Sequence, residues 1–216
     1  MPQLRDASRA TLLDRKFFNR DPRLVARALL GKLLVRRISN KSLVGRVVET
    51  EAYLGTGDPA SHSFGGKTLR NAILFGPPGF AYVYFIYGNH YCLNVSCLPD
   101  GVPGGVLFRA LEPLIGVEEM AAARDIEWSG APDLRRISSG PGRMAEAFGI
   151  TRDRDNGKDF TSPRSDLQLR DDGYRTRRIL VTRRIGIVKA AEEPLRYTIE
   201  GNLFVSGPRA RAAKIR

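Results

Sequence analysis

The hydrophobic pattern is sharpest from Phe80 to Cys97, FAYVYFIYGNHYCLNVSC, where residues alternate in direction on both sides of Tyr87-Gly88-Asn89-His90. Ala81, Val83 and Phe85 share one face of the first segment, and Tyr91, Leu93 and Val95 one face of the second. Tyr82, Tyr84 and Ile86, with Cys92, Asn94 and Ser96, take the opposite faces. Period-two alternation around a glycine-containing turn predicts a β-hairpin. Pairing Phe85 with Leu93 and Val83 with Val95 keeps one face apolar and sets Tyr84 opposite Asn94. That register calls for a three- or five-residue loop, because a two-residue Gly88-Asn89 turn would mix the faces. Tyr87 then sits at the tip, either tucked back or presented to a partner.

Elsewhere Asp21-Pro22 opens a helix whose stripe of Leu24, Val25, Ala28 and Leu29 ends at Gly31. Strands are expected at Lys32–Arg37 and Leu43–Thr50, joined through residues 38–42, and at Val106–Leu111, ended by Glu112-Pro113. Residues 57–76 have loop composition with a short helical stretch, KTLRNAILF. Helices are expected over Gly116–Arg124 and Arg143–Phe148. Residues 151–178 show no period and read as a polar surface excursion. Short strands follow at Ile179–Thr182, Ile185–Val188, Leu195–Ile199 and Leu203–Ser206. No linker divides the chain, so residues 16–207 are expected to form one domain, between a loosely held basic lead-in (1–15) and a basic tail (208–216).

Charge changes this picture more than composition does. Thirty-five Lys and Arg stand against 23 Asp and Glu, a formal net charge of +12. The excess is mostly arginine, whose planar fork suits phosphate oxygens. Nucleic acid is the favoured partner of such a surface, with anionic membrane or simple solubility as alternatives. The two cysteines, Cys92 and Cys97, fall on opposite sides of one strand, and His62 and His90 are the only histidines. No metal-ligand set is legible, and no metal or cofactor is expected. The start, MPQLRDASRA, lacks an apolar signal region and no run reaches membrane-spanning length, which points to a reduced, cytoplasmic protein.

Several residues break their local pattern. In VVETEAYLG, residues 47–55, Glu49 and Glu51 share a face by alternation, and Tyr53 follows. An acid at a strand end is ordinarily solvated, although strand ends and their loops often carry chemistry. His62 in its loop is able to donate or accept a hydrogen bond near neutrality. Arg109, inside the apolar VLFRALEP, needs a buried carboxylate or a site. Ser139-Gly140-Pro141-Gly142 gives an amide-rich helix start, suited to a phosphate or to a plain cap.

Taken in order, VVETEAYLG, His62, YVYFIYG, Asn94, VLFRALEP, SSGPGRM and RIGI resemble the alkyladenine (3-methyladenine) DNA glycosylases, over roughly Phe17 to Ser206. The resemblance implies an α+β single domain. Its frame would be a curved, mostly antiparallel sheet with surrounding helices and a protruding, DNA-inserting hairpin. It implies that Glu51 activates water, that Arg109 helps to hold that water, and that the Ile185 backbone lines the same spot. Tyr53, His62 and Tyr84 would form the pocket for the damaged base, and Asn94 would obstruct guanine. Tyr87 would enter the space left by the flipped nucleotide, with Gly88, Asn89, His90 and Arg143 as further DNA contacts. Asn89 and His90 make the tip more polar than is usual in the family.

The implied enzyme is a monomeric, nucleoid-associated base-excision glycosylase acting on double-stranded DNA that contains alkylated or deaminated purines. Hypoxanthine, ethenoadenine and 3-methyladenine are the expected lesions. No lysine takes the nucleophile's place, so hydrolysis without strand cleavage is expected. Arg109 is expected to keep Glu51 ionised by lowering its pKa. Two rival readings remain: a non-catalytic nucleic-acid-binding module on the same fold, and, more weakly, an RNA-binding domain attached to tRNA modification.

Overall fold

The computed structural model describes residues 10–86, 88, 90–127 and 134–207. The expected lesion-facing tip residues Tyr87 and Asn89, and the basic tail, lie outside the described residues. A single curled antiparallel sheet forms the frame. Its order is β1 (Thr11–Leu12), β7 (Leu167–Asp171), β2 (Leu33–Ile38), β3 (Lys41–Tyr53), β6 (Gly105–Ile115), β5 (His90–Ser96) and β4 (Ala81–Ile86). β9 (Arg196–Ile199) joins β3, and β8 (Ile179–Thr182) joins β9.

β3 is the spine. Its first half, Lys41–Arg46, pairs with β2, while Glu49–Glu51 pair with β9 on the same edge. The other edge follows β6 from Val44 to Tyr53 with three register shifts. Around the Glu49–Ala110 pair, Val48 is left over on β3 and Arg109 on β6. Bulges of this kind bend a strand and re-aim a side chain. Here they set Arg109 between Glu49 and Glu51 (below).

One face of the sheet carries the core. α2 (Pro22–Leu29) starts at Asp21, whose side chain accepts from the Arg23 amide, and lays Val25, Ala26 and Leu29 against β3. α4 (Arg135–Ser138) and α5 (Pro141–Ala147) cover β5 and β6, and α3 (Val117–Ala122) packs on α5 and β3; Met120, Ile137, Met144 and Phe148 join Phe108 and Leu111 in the core.

Several expectations change. The hairpin is present and its faces are as predicted, but its register is two residues shorter: Val83 faces Leu93, Phe85 faces Tyr91 and Ile86 faces His90. Tyr82, rather than Tyr84, is therefore opposite Asn94, and Tyr84 faces Cys92. An aromatic Phe85–Tyr91 pair, centroids 4.9 Å apart, replaces the expected Phe85–Leu93 contact. β3 starts earlier than expected, from a two-residue turn in which Ser39 takes φ 52°. β6 runs through Pro113 to Ile115, with the proline taken up at a register shift.

Ile185–Val188 and Leu203–Ser206 are turns and bends, not strands. Their backbone amides serve side chains instead of a ladder: Ile185 N–H donates to Glu51 and Ser206 N–H to Glu49. Nor are residues 10–15 loose, since Thr11–Leu12 pairs with β7 and Ala10 and Leu13 are buried.

The polar stretch 151–178 is part of the frame rather than an excursion. It contributes α6 (Arg152–Asp155), the buried Phe160 and β7. Its charges are what misled the pattern, because they are partners of buried arginines. Arg36, fully buried in β2, donates to Asp155 at 2.7 Å and Asp166 at 3.2 Å, and Arg46 forks onto Asp172. Removing one member of a buried pair strands the other charge, at a cost of about 3–5 kcal/mol. Asp155→Ala is therefore expected to lower unfolding free energy by about that amount in urea titrations. A change below about 0.5 kcal/mol would contradict this account.

Candidate active site

Two carboxylates that should by rights be solvated lie wholly inside. Glu49 and Glu51 are both 0% exposed. Glu49 Oε1 accepts from Arg109 Nε (2.9 Å), Arg196 Nε (2.7 Å) and Ser206 Oγ (2.9 Å), and Oε2 accepts from Ser206 N–H (2.6 Å). Glu51 Oε1 accepts from Ile185 N–H at 2.8 Å and lies 3.1 Å from Arg109 Nη1, while Oε2 accepts from Tyr53 Oη at 3.0 Å. Arg109 Nη1 also donates to Ile185 O at 3.2 Å. Two acids and two arginines thus balance in charge, and each carboxylate oxygen has a donor. That is the condition under which buried charge is tolerated.

Burial pushes Glu51 above the ordinary carboxylate range, with Arg109, the Ile185 N–H and Tyr53 opposing it and Glu49 reinforcing it. Arg109 acts in the expected sense but is outweighed, so the expected net lowering is corrected to a rise. Desolvation also raises Tyr53, so its hydroxyl stays protonated and donates to Glu51.

Tyr53 and Tyr84 stand between two cavities. The larger, about 450 Å³, is lined by both tyrosines, Arg109, Ile185, His90, Cys92 and the 139–143 turn, Arg143 among them. The smaller, about 100 Å³, takes Tyr53, His62, Tyr82, Tyr84, Asn94 and Ile187. His62 meets Tyr84 edge-on with centroids 4.4 Å apart, and its Nδ1 is 2.9 Å from Tyr82 Oη. Desolvation, helped by the Arg70 charge, pulls His62 below its usual pKa, so the ring is neutral at pH 7. The buried Asn94 is oriented by donating from Nδ2 to Tyr82 O at 3.2 Å.

The predicted site residues fall in two groups. Glu51, Arg109 and Ile185 come together, with Tyr53 against Glu51; Tyr84, His62 and Asn94 gather beside them. His90 and Arg143 face the larger cavity, and Gly88 is exposed at the hairpin tip. The tip end of the hairpin touches the start of α5: a Cβ added at Gly142 would lie 2.8 Å from His90 Cγ. α5 has Gly140 (φ 122°) as its N-cap and no side-chain cap hydrogen bond. The Ser139 hydroxyl donates instead to Phe204 O.

Residue-by-residue reading missed Glu49 as a buried ligand, along with Arg196, Ser206, Tyr82, Arg184 and Asp58. The alternation that pairs Glu49 with Glu51 was a usable signal for the first. Nothing local marks Arg196 or Asp58, whose partners are remote in sequence.

Comparison with known proteins makes this antiparallel half-barrel a DNA glycosylase of DNA repair. A protein of Koribacter versatilis is 64% identical over 91% of this chain and 94% of its own; it is named "Putative 3-methyladenine DNA glycosylase". Proteins of the same name from Burkholderia cenocepacia (45% identical; 91% of this chain, 92% of theirs) and Methanoculleus marisnigri (44%; 88% and 96%) match similarly. The family model described as "Methylpurine-DNA glycosylase (MPG)" matches residues 16–203, and the chain belongs to that family.

Glu49 raises Glu51 as a like charge beside it. Glu49→Gln is therefore expected to lower the pH at which Glu51 titrates, as followed by its side-chain carboxyl carbon in NMR. An unchanged or higher midpoint would contradict the electrostatic reading.

Proposed function

We propose that this chain excises alkylated or deaminated purines, 3-methyladenine, hypoxanthine and ethenoadenine among them, from double-stranded DNA, with Glu51 activating the hydrolytic water. The observation that carries this reading is the buried Glu51, held by Arg109, Ile185 N–H and Tyr53 beside cavities walled by aromatic rings. A binding module gains nothing from hiding a carboxylate under a surface meant for phosphates.

A base inside the duplex is out of reach, so the nucleotide turns out at a cost of a few kcal/mol, and Tyr87 fills the space it leaves. Gly88, Asn89, His90 and Arg143 add contacts to the DNA. The base stacks on Tyr53 and Tyr84, each contact worth about 1–3 kcal/mol. His62 hydrogen-bonds its edge, and Asn94 obstructs guanine through the exocyclic amine. Water takes a place between Glu51, Arg109 and the Ile185 backbone. Its oxygen bonds to C1′ as its proton passes to Glu51, and the electrons of the C1′–N bond leave with the purine. The carboxylate also steadies positive charge building on the sugar. None of the described residues lining either cavity is a lysine, which supports hydrolysis without strand cleavage.

Glu51→Gln is expected to bind hypoxanthine duplex as the native protein does while losing single-turnover base release at least about 100-fold. Comparable release would remove Glu51 from the mechanism. In the native enzyme the acidic limb of the pH–rate profile should lie above about pH 4.3, because Glu51 acts ionised and burial raises its pKa. A limb at or below that value would contradict the raised pKa.

A further inference from the structure

We infer that Asp58 and Arg184 form a buried clamp that positions the catalytic machinery: it fixes the turn carrying Ile185 and backs the ring of Tyr53. This rests on the proposed role of Glu51.

The two side chains are almost wholly enclosed, 2% and 0% exposed, although both are charged. They meet as a fork: Arg184 Nη1 donates to Asp58 Oδ2 at 2.5 Å and Nη2 to Oδ1 at 2.8 Å. Each also holds backbone that frames the site. Arg184 donates to Ala52 O at the end of β3 (3.1 Å) and to Ala190 O at the far side of its own turn (3.3 Å). Asp58 accepts from Leu54 N–H (3.2 Å) and from Ala60 N–H (3.0 Å), two residues before His62. One ion pair therefore ties together the strand bearing Glu51, the His62 loop and the 184–190 turn.

What the clamp holds is what Glu51 uses. Arg184 is followed directly by Ile185, whose N–H donates to Glu51 and whose carbonyl accepts from Arg109. That turn has no strand ladder to fix it, so besides the Ile185–Glu51 bond itself the Arg184 side chain anchors it to β3. The Arg184 guanidinium also lies 4.7 Å from the centroid of the Tyr53 ring. Tyr53 is thus braced between Arg184 at its ring and Glu51 at its hydroxyl. A forked, buried arginine is not replaceable by lysine here, because a single ammonium cannot span both carboxylate oxygens and two carbonyls.

A merely structural ion pair would affect stability and the amount of folded enzyme. A positioning pair affects Glu51 itself. The charged and titratable groups around Glu51 are Glu49 and Tyr53 on its own strand, Arg109 from β6, Arg196 from β9, Cys92 from β5 and Arg184 from the turn. If the turn loosens, Glu51 loses the Ile185 N–H, a donor that favours its ionised form. Its pKa then rises, and the acidic limb of the pH–rate profile moves up.

The experiment measures single-turnover release of hypoxanthine from duplex DNA against pH for Arg184→Lys, Asp58→Asn, Glu51→Gln and the native chain. Thermal melting and binding to undamaged duplex are followed in parallel. Arg184→Lys and Asp58→Asn are expected to slow the plateau rate about 10- to 100-fold. Their acidic limb should rise by about one pH unit, with undamaged-duplex binding unchanged. A lower melting temperature with native plateau rate and unmoved limb would overturn the clamp. If one variant fails to fold, the other decides. Glu51→Gln separates the two readings: if it still releases base, the proposed function of Glu51 fails. If it is inactive while both clamp variants behave as native, only the clamp fails.

Discussion

The molecule depends on a decision to bury charge where its sheet forks. β3 changes partner from β2 to β9 at the point where Glu49 and Glu51 turn inward, and two leftover residues in the β3–β6 register place Arg109 between them. Arg196, contributed by β9, completes the balance on the side of Glu49. Without the second edge partner there would be no second cation, and two adjacent acids could not both be carried inside. The fork in the sheet and the chemistry at its centre are one feature.

The same economy recurs on the other side of β2 and β3, where Arg36, Arg46 and Lys32 draw Asp155, Asp166, Asp172 and Asp171 inward. These pairs fasten the polar stretch after α5 to the frame and carry no cavity-lining residue. The chain therefore uses buried ion pairs for two purposes. Toward its polar flank they fasten segments that lack apolar side chains; at the fork they leave a strongly desolvated carboxylate beside an open space. Arginine content, often read only as a surface property, is partly an interior one here, each buried cation being matched by an acid.

Much of this was legible in the residues. Alternation gave the hairpin and its faces, and helix caps gave α2 to within a residue. Pattern-breaking residues, an acid at 51 and an arginine at 109, pointed to the centre because isolated charges on apolar strands need a partner. The register of the hairpin was not legible, since Leu93 and Tyr91 are both acceptable opposite Phe85 and the difference rests on aromatic packing. The turns at 185–188 and 203–206 looked like strands because their apolar residues are spaced like one. What overrides the pattern is the demand of Glu49 and Glu51 for backbone donors, which arises over more than a hundred residues of separation. The polar stretch 151–178 failed for the converse reason: its aspartates satisfy cations that only the fold reveals.

The absence of a side chain at position 142 has a consequence of its own. His90, beside the hairpin loop, rests directly on that glycine, so hairpin and α5 approach as closely as backbone and imidazole permit. Any larger residue would act as a shim, prising one rim of the larger cavity from the other and widening the mouth without touching a single group on its floor. The gauge of that opening is thus set by an atom that is missing.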